Sequence, residues 1–121
     1  MSNVVIVTGG AIRIGREICL KLSEEGYKIA IHYRSSEGDA RDLQQEIESA
    51  GGNACTIQCD LNDSDSVKEL IKNASDSLGA VVGVVNNASL FVLDRIEDVS
   101  EEAWIEHMKV NALAPLLLIQ S

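Results

Sequence analysis

The sequence predicts an α/β fold, a doubly wound parallel sheet whose first four strands lie in the order 3-2-1-4. Three observations carry this. Short β-branched runs alternate with amphipathic segments along all 121 residues. A glycine-rich turn follows the first run. The only aromatic side chains are Tyr27, Tyr33, Phe91 and Trp104, so Val, Ile, Leu and Ala must fill the core, as they do in sheets buried on both faces.

Asn3–Thr8 (NVVIVT) reads as a buried strand that ends in Gly9-Gly10. Ile14, Ile18, Cys19 and Leu22 then follow helical spacing, and Gly26 stops that helix. Lys28–Tyr33 is a second strand, and a second helix runs from about Ser36 to Ala50, with Leu43 and Ile47 four apart. Asn53–Gln58 is a third strand. From Asp63 or Ser64 to Leu78 runs a third helix, ended by Gly79. Val81–Val85 is a fourth strand, and after a loop Ser100 caps a fourth helix with Glu101 and Glu102 in its first turn. Pro115 falls inside that helical pattern and is expected to kink it or end it. Right-handed crossovers make the strands parallel, with helices on both faces. Without repeats or linkers, residues 1–121 read as one domain.

The formal charge of −9 is unevenly spread. Residues 1–41 hold six basic and five acidic side chains, whereas residues 42–121 hold four basic and fourteen acidic ones. That excess of acid argues against nucleic acid as a partner, while the basic side chains gather where a small anion could use them. Cys19, Cys55 and Cys59 form no CxxC pair. Cys55 and Cys59, four apart on a strand, would be separated by about 13 Å, too far for a disulfide or shared metal. They read as core-filling thiols of a reducing compartment. Ala112–Ile119 is too short to span a bilayer, and no secretory leader is visible, so a cytoplasmic protein is expected.

Thr8-Gly9-Gly10-Ala11-Ile12-Arg13-Ile14-Gly15 lies between the first strand and the first helix. A dinucleotide needs that place, because backbone N–H groups at a helix N-terminus meet its pyrophosphate and glycines allow close approach. The glycines could also simply make a tight strand-to-helix turn, but the strand before and the helix after them favour the coenzyme reading. The second strand bears on the choice of coenzyme. Its tip, His32-Tyr33-Arg34-Ser35-Ser36, lacks the acid that holds ribose hydroxyls in NAD sites. Arg34 stands 19 residues after Gly15, and a guanidinium there suits a 2′-phosphate. Arg13 could add a second cation. Either arginine alone would pass for a solvated surface charge.

Together, Thr8–Gly15, Asp60-Leu61, Asn86-Asn87-Ala88 and Asn111 resemble the short-chain dehydrogenases/reductases in order and spacing over essentially the whole chain. Three details resemble the pteridine reductase branch: Arg13 in place of the usual glycine, His32-Tyr33-Arg34-Ser35 after the second strand, and Ser89 after Asn87-Ala88. The resemblance implies a Rossmann-type fold, NADP(H) as coenzyme and a small-molecule substrate. It implies coenzyme contacts from Gly9, Arg13, Ile14, Gly15, Tyr33, Arg34 and Ser35. Asp60 would bond the adenine amino group with Leu61 beside it, and Asn87, Ala88 and Ser89 would lie along the ribose and pyrophosphate. Asn86 would tie its strand end to the neighbouring strand. Asn111 would support a proton relay, and Phe91 would stack on a pterin. Each residue also has a plain reading: Asp60 as a helix cap, Asn86-Asn87 as a turn, Asn111 bonded within its helix, Phe91 as core.

Whole members of the family carry a catalytic Tyr and a Lys separated by three residues, and Tyr27 and Tyr33 are not followed by such a Lys. The chain is therefore expected to be a truncated, coenzyme-binding half that does not itself turn over substrate. A non-catalytic dinucleotide-binding module and a self-associating structural fragment are the other functions it could serve. The fourth strand would be a bare apolar edge, and the fourth helix would leave Trp104, Met108, Leu113 and Leu116–Ile119 poorly covered, so a homo-oligomer is expected.

Overall fold

The computed structural model describes residues 3–90 and 95–121. Strands β1 (Val4–Val7), β2 (Lys28–Tyr33), β3 (Ala54–Gln58) and β4 (Val81–Val85) form a four-stranded sheet. All pair in parallel, in the order β3-β2-β1-β4. This is the doubly wound arrangement the alternation predicts.

Helices α1 (Arg13–Glu24) and α2 (Glu37–Ser49) cover one face, and α3 (Ser64–Leu78) covers the other. The period of two in β1 and β2 explains the division. Val5, Val7, Ile29 and Ile31 point to the α1–α2 side, packing with Cys19, Leu43 and Ile47. Val4, Ile6 and Ala30 point the other way, against Val67, Leu70 and Ala74 of α3. Two cores are built from one sheet, and nearly all their side chains are aliphatic.

The sequence-derived boundaries hold to within about a residue for most elements. Ile14 is the exception in α1: it is 71% exposed, and the buried positions of that helix are Gly15 and Cys19. The first turn of α1 reaches beyond the sheet, so a residue in helical phase has nothing beneath it. Cys59 lies just past β3, and all three cysteines are free thiols. Burial pushes the Cys19 thiol up to about 12. Burial, reinforced by the carboxylates of Asp60 and Asp63, pushes Cys59 up to about 11. Neither is a nucleophile near neutral pH.

Ser100 caps α4 (Glu101–Met108), its hydroxyl accepting the Ala103 N–H at 3.1 Å. Pro115 does not end the helical run. A π-helical turn, Lys109–Leu113, follows α4, and α5 (Ala114–Gln120) resumes with Pro115 in its first turn. Proline lacks only an N–H there, and the wider turn absorbs the mismatch in the ladder. Leu118 of α5 is buried against the α3 face, but Trp104, Met108, Leu113, Leu116 and Ile119 are exposed. β4 lies at the sheet edge with Val82 exposed. Among the described residues no helix is long and apolar enough to cross a membrane.

Candidate functional site

Parallel pairing sets all four C-terminal strand ends on one side, with Val7 level with Ile31 and Val85, and Tyr33 level with Gln58. The winding reverses between β1 and β4, which leaves a crevice where the connections part in opposite directions. A cleft of about 390 Å³ opens there.

Four segments line its floor and walls. From the turn after β1 come Gly9, Arg13 and Ile14. Tyr33 ends β2 with Arg34 and Ser35 after it, and Asp60 and Leu61 follow β3. Asn87, Ala88 and Ser89 follow β4. Gly15 is buried beneath the turn rather than exposed in the cleft. Phe91 lies outside the described residues. His32, Ser36, Leu90 and Val110 also line the cleft and are additions to the expected set. His32 carried a signal: it is the one polar residue in the buried run 29–32 of β2. Val110 carried none, because its place depends on how the last helices pack.

The turn is held by a clasp from β4. Asn87 donates its Nδ2 hydrogens to the carbonyls of Thr8 and Gly9, both at 3.1 Å. Its backbone N–H and that of Ala88 donate to Thr8 Oγ1 at 3.1 and 3.0 Å. The tie expected of Asn86 is thus made by Asn87. Gly9 has φ +61°, and a Cβ there would crowd Ala88 Cα at 3.1 Å. Only glycine fits comfortably.

Helix α1 begins without a side-chain cap, and its first turn has no acidic residue. Its leading N–H groups therefore point at the cleft unsatisfied by the side chain of Ile12, an arrangement suited to an anion. Arg13 has φ 53°, making it the only non-glycine residue with positive φ among the described residues. Among those residues neither Arg13 nor Arg34 joins a carboxylate, although Arg16, Lys21, Arg41 and Lys72 all do. Glu37, the acid closest to the tip of β2, sits in the first turn of α2 and accepts a hydrogen bond from Arg41 at 2.6 Å.

Asp60 Oδ1 accepts the Asn62 N–H at 2.9 Å, while the cap of α3 is Asp63, which accepts the Asp65 N–H at 3.1 Å. Asp60 is therefore a turn residue facing the cleft. Asn111 lies in the π-helical turn and does not bond within its own helix. It grips Leu90 at both ends, accepting the N–H at 2.7 Å and donating to the carbonyl at 2.8 Å. That pair fixes Leu90 against the last helices.

Known proteins share this arrangement. Residues 3–121 match the family model described as short chain dehydrogenase. The 3-oxoacyl-[acyl-carrier-protein] reductase FabG of Staphylococcus epidermidis is 34% identical over 111 residues, covering 92% of this chain and 46% of that reductase. Among solved structures, FolM alternative dihydrofolate reductase 1 from Brucella suis, in complex with NADP, superposes with a TM-score of 0.92 at 38% identity. That match covers 98% of this chain and 49% of FolM. A blue fluorescent protein from a metagenomic library, in complex with NADPH, gives a TM-score of 0.93 at 35% identity, over 98% of this chain and 49% of its own. The chain spans about half the length of the relatives it matches. With the family model matched over residues 3–121 and the sheet wound as this cleft requires, the chain belongs to the short-chain dehydrogenase family.

Proposed function

We propose that the chain is the NADP(H)-binding part of a short-chain reductase, of pteridine reductase-like type, acting on a small-molecule substrate. The observation that carries the coenzyme reading is the pair of guanidinium groups lining one cleft, Arg13 and Arg34, with Glu37 turned to Arg41 instead. The site fits a phosphorylated dinucleotide in its donors and its shape. The uncapped start of α1 offers N–H groups to the pyrophosphate, and the glycines of the turn leave room for its approach. Arg34, with Ser35 beside it, would take the 2′-phosphate, and Asp60 the adenine amino group. Asn87, Ala88 and Ser89 would border the ribose.

When bound, the nicotinamide supplies the hydride. The residues here bind and orient; the Tyr and Lys that handle the proton in whole family members have no counterpart in the 121 residues. Asn111 would hold the loop beside the reacting ring through Leu90. The pteridine-like reading rests on Arg13, on the His32-Tyr33-Arg34-Ser35 sequence, on Ser89, and on similarity to FolM. The exposed apolar side chains of α4 and α5, with β4 at the sheet edge, suit a homo-oligomer.

Titrating the chain with NADPH and NADH, read by coenzyme fluorescence, tests this. NADPH should bind more tightly than NADH. Arg34→Ala should weaken NADPH by about 10- to 100-fold, the worth of a charge-assisted hydrogen-bond pair, and leave NADH nearly unchanged. Equal loss for both coenzymes would remove Arg34 from the 2′-phosphate; binding of neither would overturn the reading.

Arg13→Gly separates binding from stability. A side chain held in the left-handed region costs about 1–2 kcal/mol, and the freedom that glycine adds to the unfolded chain costs about 0.5–1 kcal/mol. The variant should thus gain about 0.5 kcal/mol in urea denaturation while binding NADPH more weakly. A loss of stability would show that the arginine is held by something other than ligand binding.

A further inference from the structure

We infer that His32 is a positioning residue, which clamps the phosphate turn to the end of β3 and does so only with a neutral ring. This rests on the coenzyme reading above and deepens it. His32 is 2% exposed at the tip of β2. Its Nδ1 accepts the Gly9 N–H at 2.9 Å, and its Nε2 lies 2.8 Å from the Cys59 carbonyl oxygen. Its own carbonyl accepts the Gly10 N–H at 3.0 Å. One residue therefore holds two consecutive N–H groups of the turn after β1 and reaches across to β3.

The partners fix the tautomer. A backbone N–H can only donate, so Nδ1 must present its lone pair to Gly9. A carbonyl can only accept, so Nε2 must carry the hydrogen towards Cys59. The neutral imidazole meets both needs; a second proton would aim Nδ1–H at the Gly9 N–H and break that bond. Gly9 lines the cleft on its phosphate side, and Cys59 immediately precedes Asp60 on its adenine side. The ring thus sets the spacing between the two places where a dinucleotide would be gripped.

The ionisable groups sharing the cleft with His32 are Arg13, Tyr33, Arg34 and Asp60. The Cys59 thiol adjoins the carbonyl that the ring bonds, and Asp63 caps the following helix, α3, near Lys109. Burial holds the ring's proton affinity below the usual histidine range, against the opposing pull of the Cys59 carbonyl. Folding therefore favours the neutral, clamping form. The sign follows: the unfolded chain binds the proton more readily, so the clamp is intact above the ordinary histidine range and is lost as pH falls below it.

The test compares wild type, His32→Gln and His32→Leu by calorimetric titration with NADP⁺ between pH 8 and pH 5. Glutamine offers one donor and one acceptor without titrating; leucine offers neither. At pH 8 the leucine variant should bind about tenfold more weakly, the worth of one buried hydrogen bond, with glutamine between leucine and wild type. The 2′-phosphate itself titrates near pH 6, so the readout is the ratio of wild-type Kd to glutamine-variant Kd. That ratio should rise several-fold on acidification. A ratio that stays flat, or falls because a charged ring attracts the anion, would overturn the clamp and leave the coenzyme reading standing. If the leucine variant does not fold, the glutamine comparison decides alone. Binding by no protein at any pH would instead sink the coenzyme reading, and the inference with it.

Discussion

Gly15→Ala is expected to destroy the phosphate turn and to destabilise the chain by about 2–3 kcal/mol, the cost of forcing an extra carbon into a packed site. Two effects compete there. Gly15 lies within α1, where alanine would ordinarily gain about 0.5–1 kcal/mol over glycine. However, a Cβ at this position falls onto the Gly9 carbonyl oxygen, and it also meets Asn87 Nδ2 at 2.7 Å and Gly10 Cα at 2.9 Å. Two of those three atoms are backbone and cannot swing aside. The third is the side chain that clasps the turn, so the steric term wins. Gly38→Ala is the control: it lies in α2, and its Cβ would meet nothing within 4 Å. Urea denaturation should show Gly38→Ala more stable than wild type and Gly15→Ala less stable, with coenzyme binding lost only in Gly15→Ala. A Gly15→Ala variant as stable as wild type would mean that the turn can reopen without cost.

Thr8→Val should be nearly as damaging, although it keeps the side chain's shape. Thr8 is buried, and its hydroxyl oxygen accepts from both the Asn87 and Ala88 N–H groups. Valine fills the same volume and accepts nothing. The Asn87 N–H keeps a second acceptor, the Val85 carbonyl at 3.0 Å, but the Ala88 N–H loses the one it has, and an orphaned buried N–H costs about 1–3 kcal/mol. A loss of about 1–3 kcal/mol is expected, along with weaker coenzyme binding as the end of β4 drifts from the turn. Thr8→Ser retains the oxygen and sheds one methyl group, which is worth about 1 kcal/mol. Denaturation of the pair gives the answer: serine should be the milder change. If valine proves the milder one, packing rather than hydrogen bonding governs Thr8.

These two sites differ in how visible they are in the sequence. The glycine turn is plain in one dimension, because its residues are neighbours and each must leave room for the chain to double back. The clasp that fastens it is not. Thr8 and Asn87 are 79 residues apart, and the link between them exists only because β4 returns to pair with β1. Asn86 and Asn87 are indistinguishable by composition; the direction in which the backbone leaves β4 decides which one reaches the turn. Ile14 obeys helical spacing yet faces the cleft, since periodicity reports the phase of a side chain and not whether anything lies beneath it. Pro115 signals a break, but a wider helical turn carries the chain past it.

The sequence alone therefore determined the order of strands and helices, the aliphatic double core, the glycine-rich turn and the placing of Arg13 at the start of the first helix and of Arg34 at the tip of the second strand. Those features follow from local propensity, burial period and covalent neighbourhood. Tertiary structure decided the rest: the grip of Asn111 on Leu90, the three-way bonding of His32, and, among the described residues, the absence of a carboxylate partner for either arginine. Each depends on which strand ends meet across the sheet. Hydrogen bonds between distant residues are settled by the geometry of strand pairing, which leaves no periodic trace in the residues that make them.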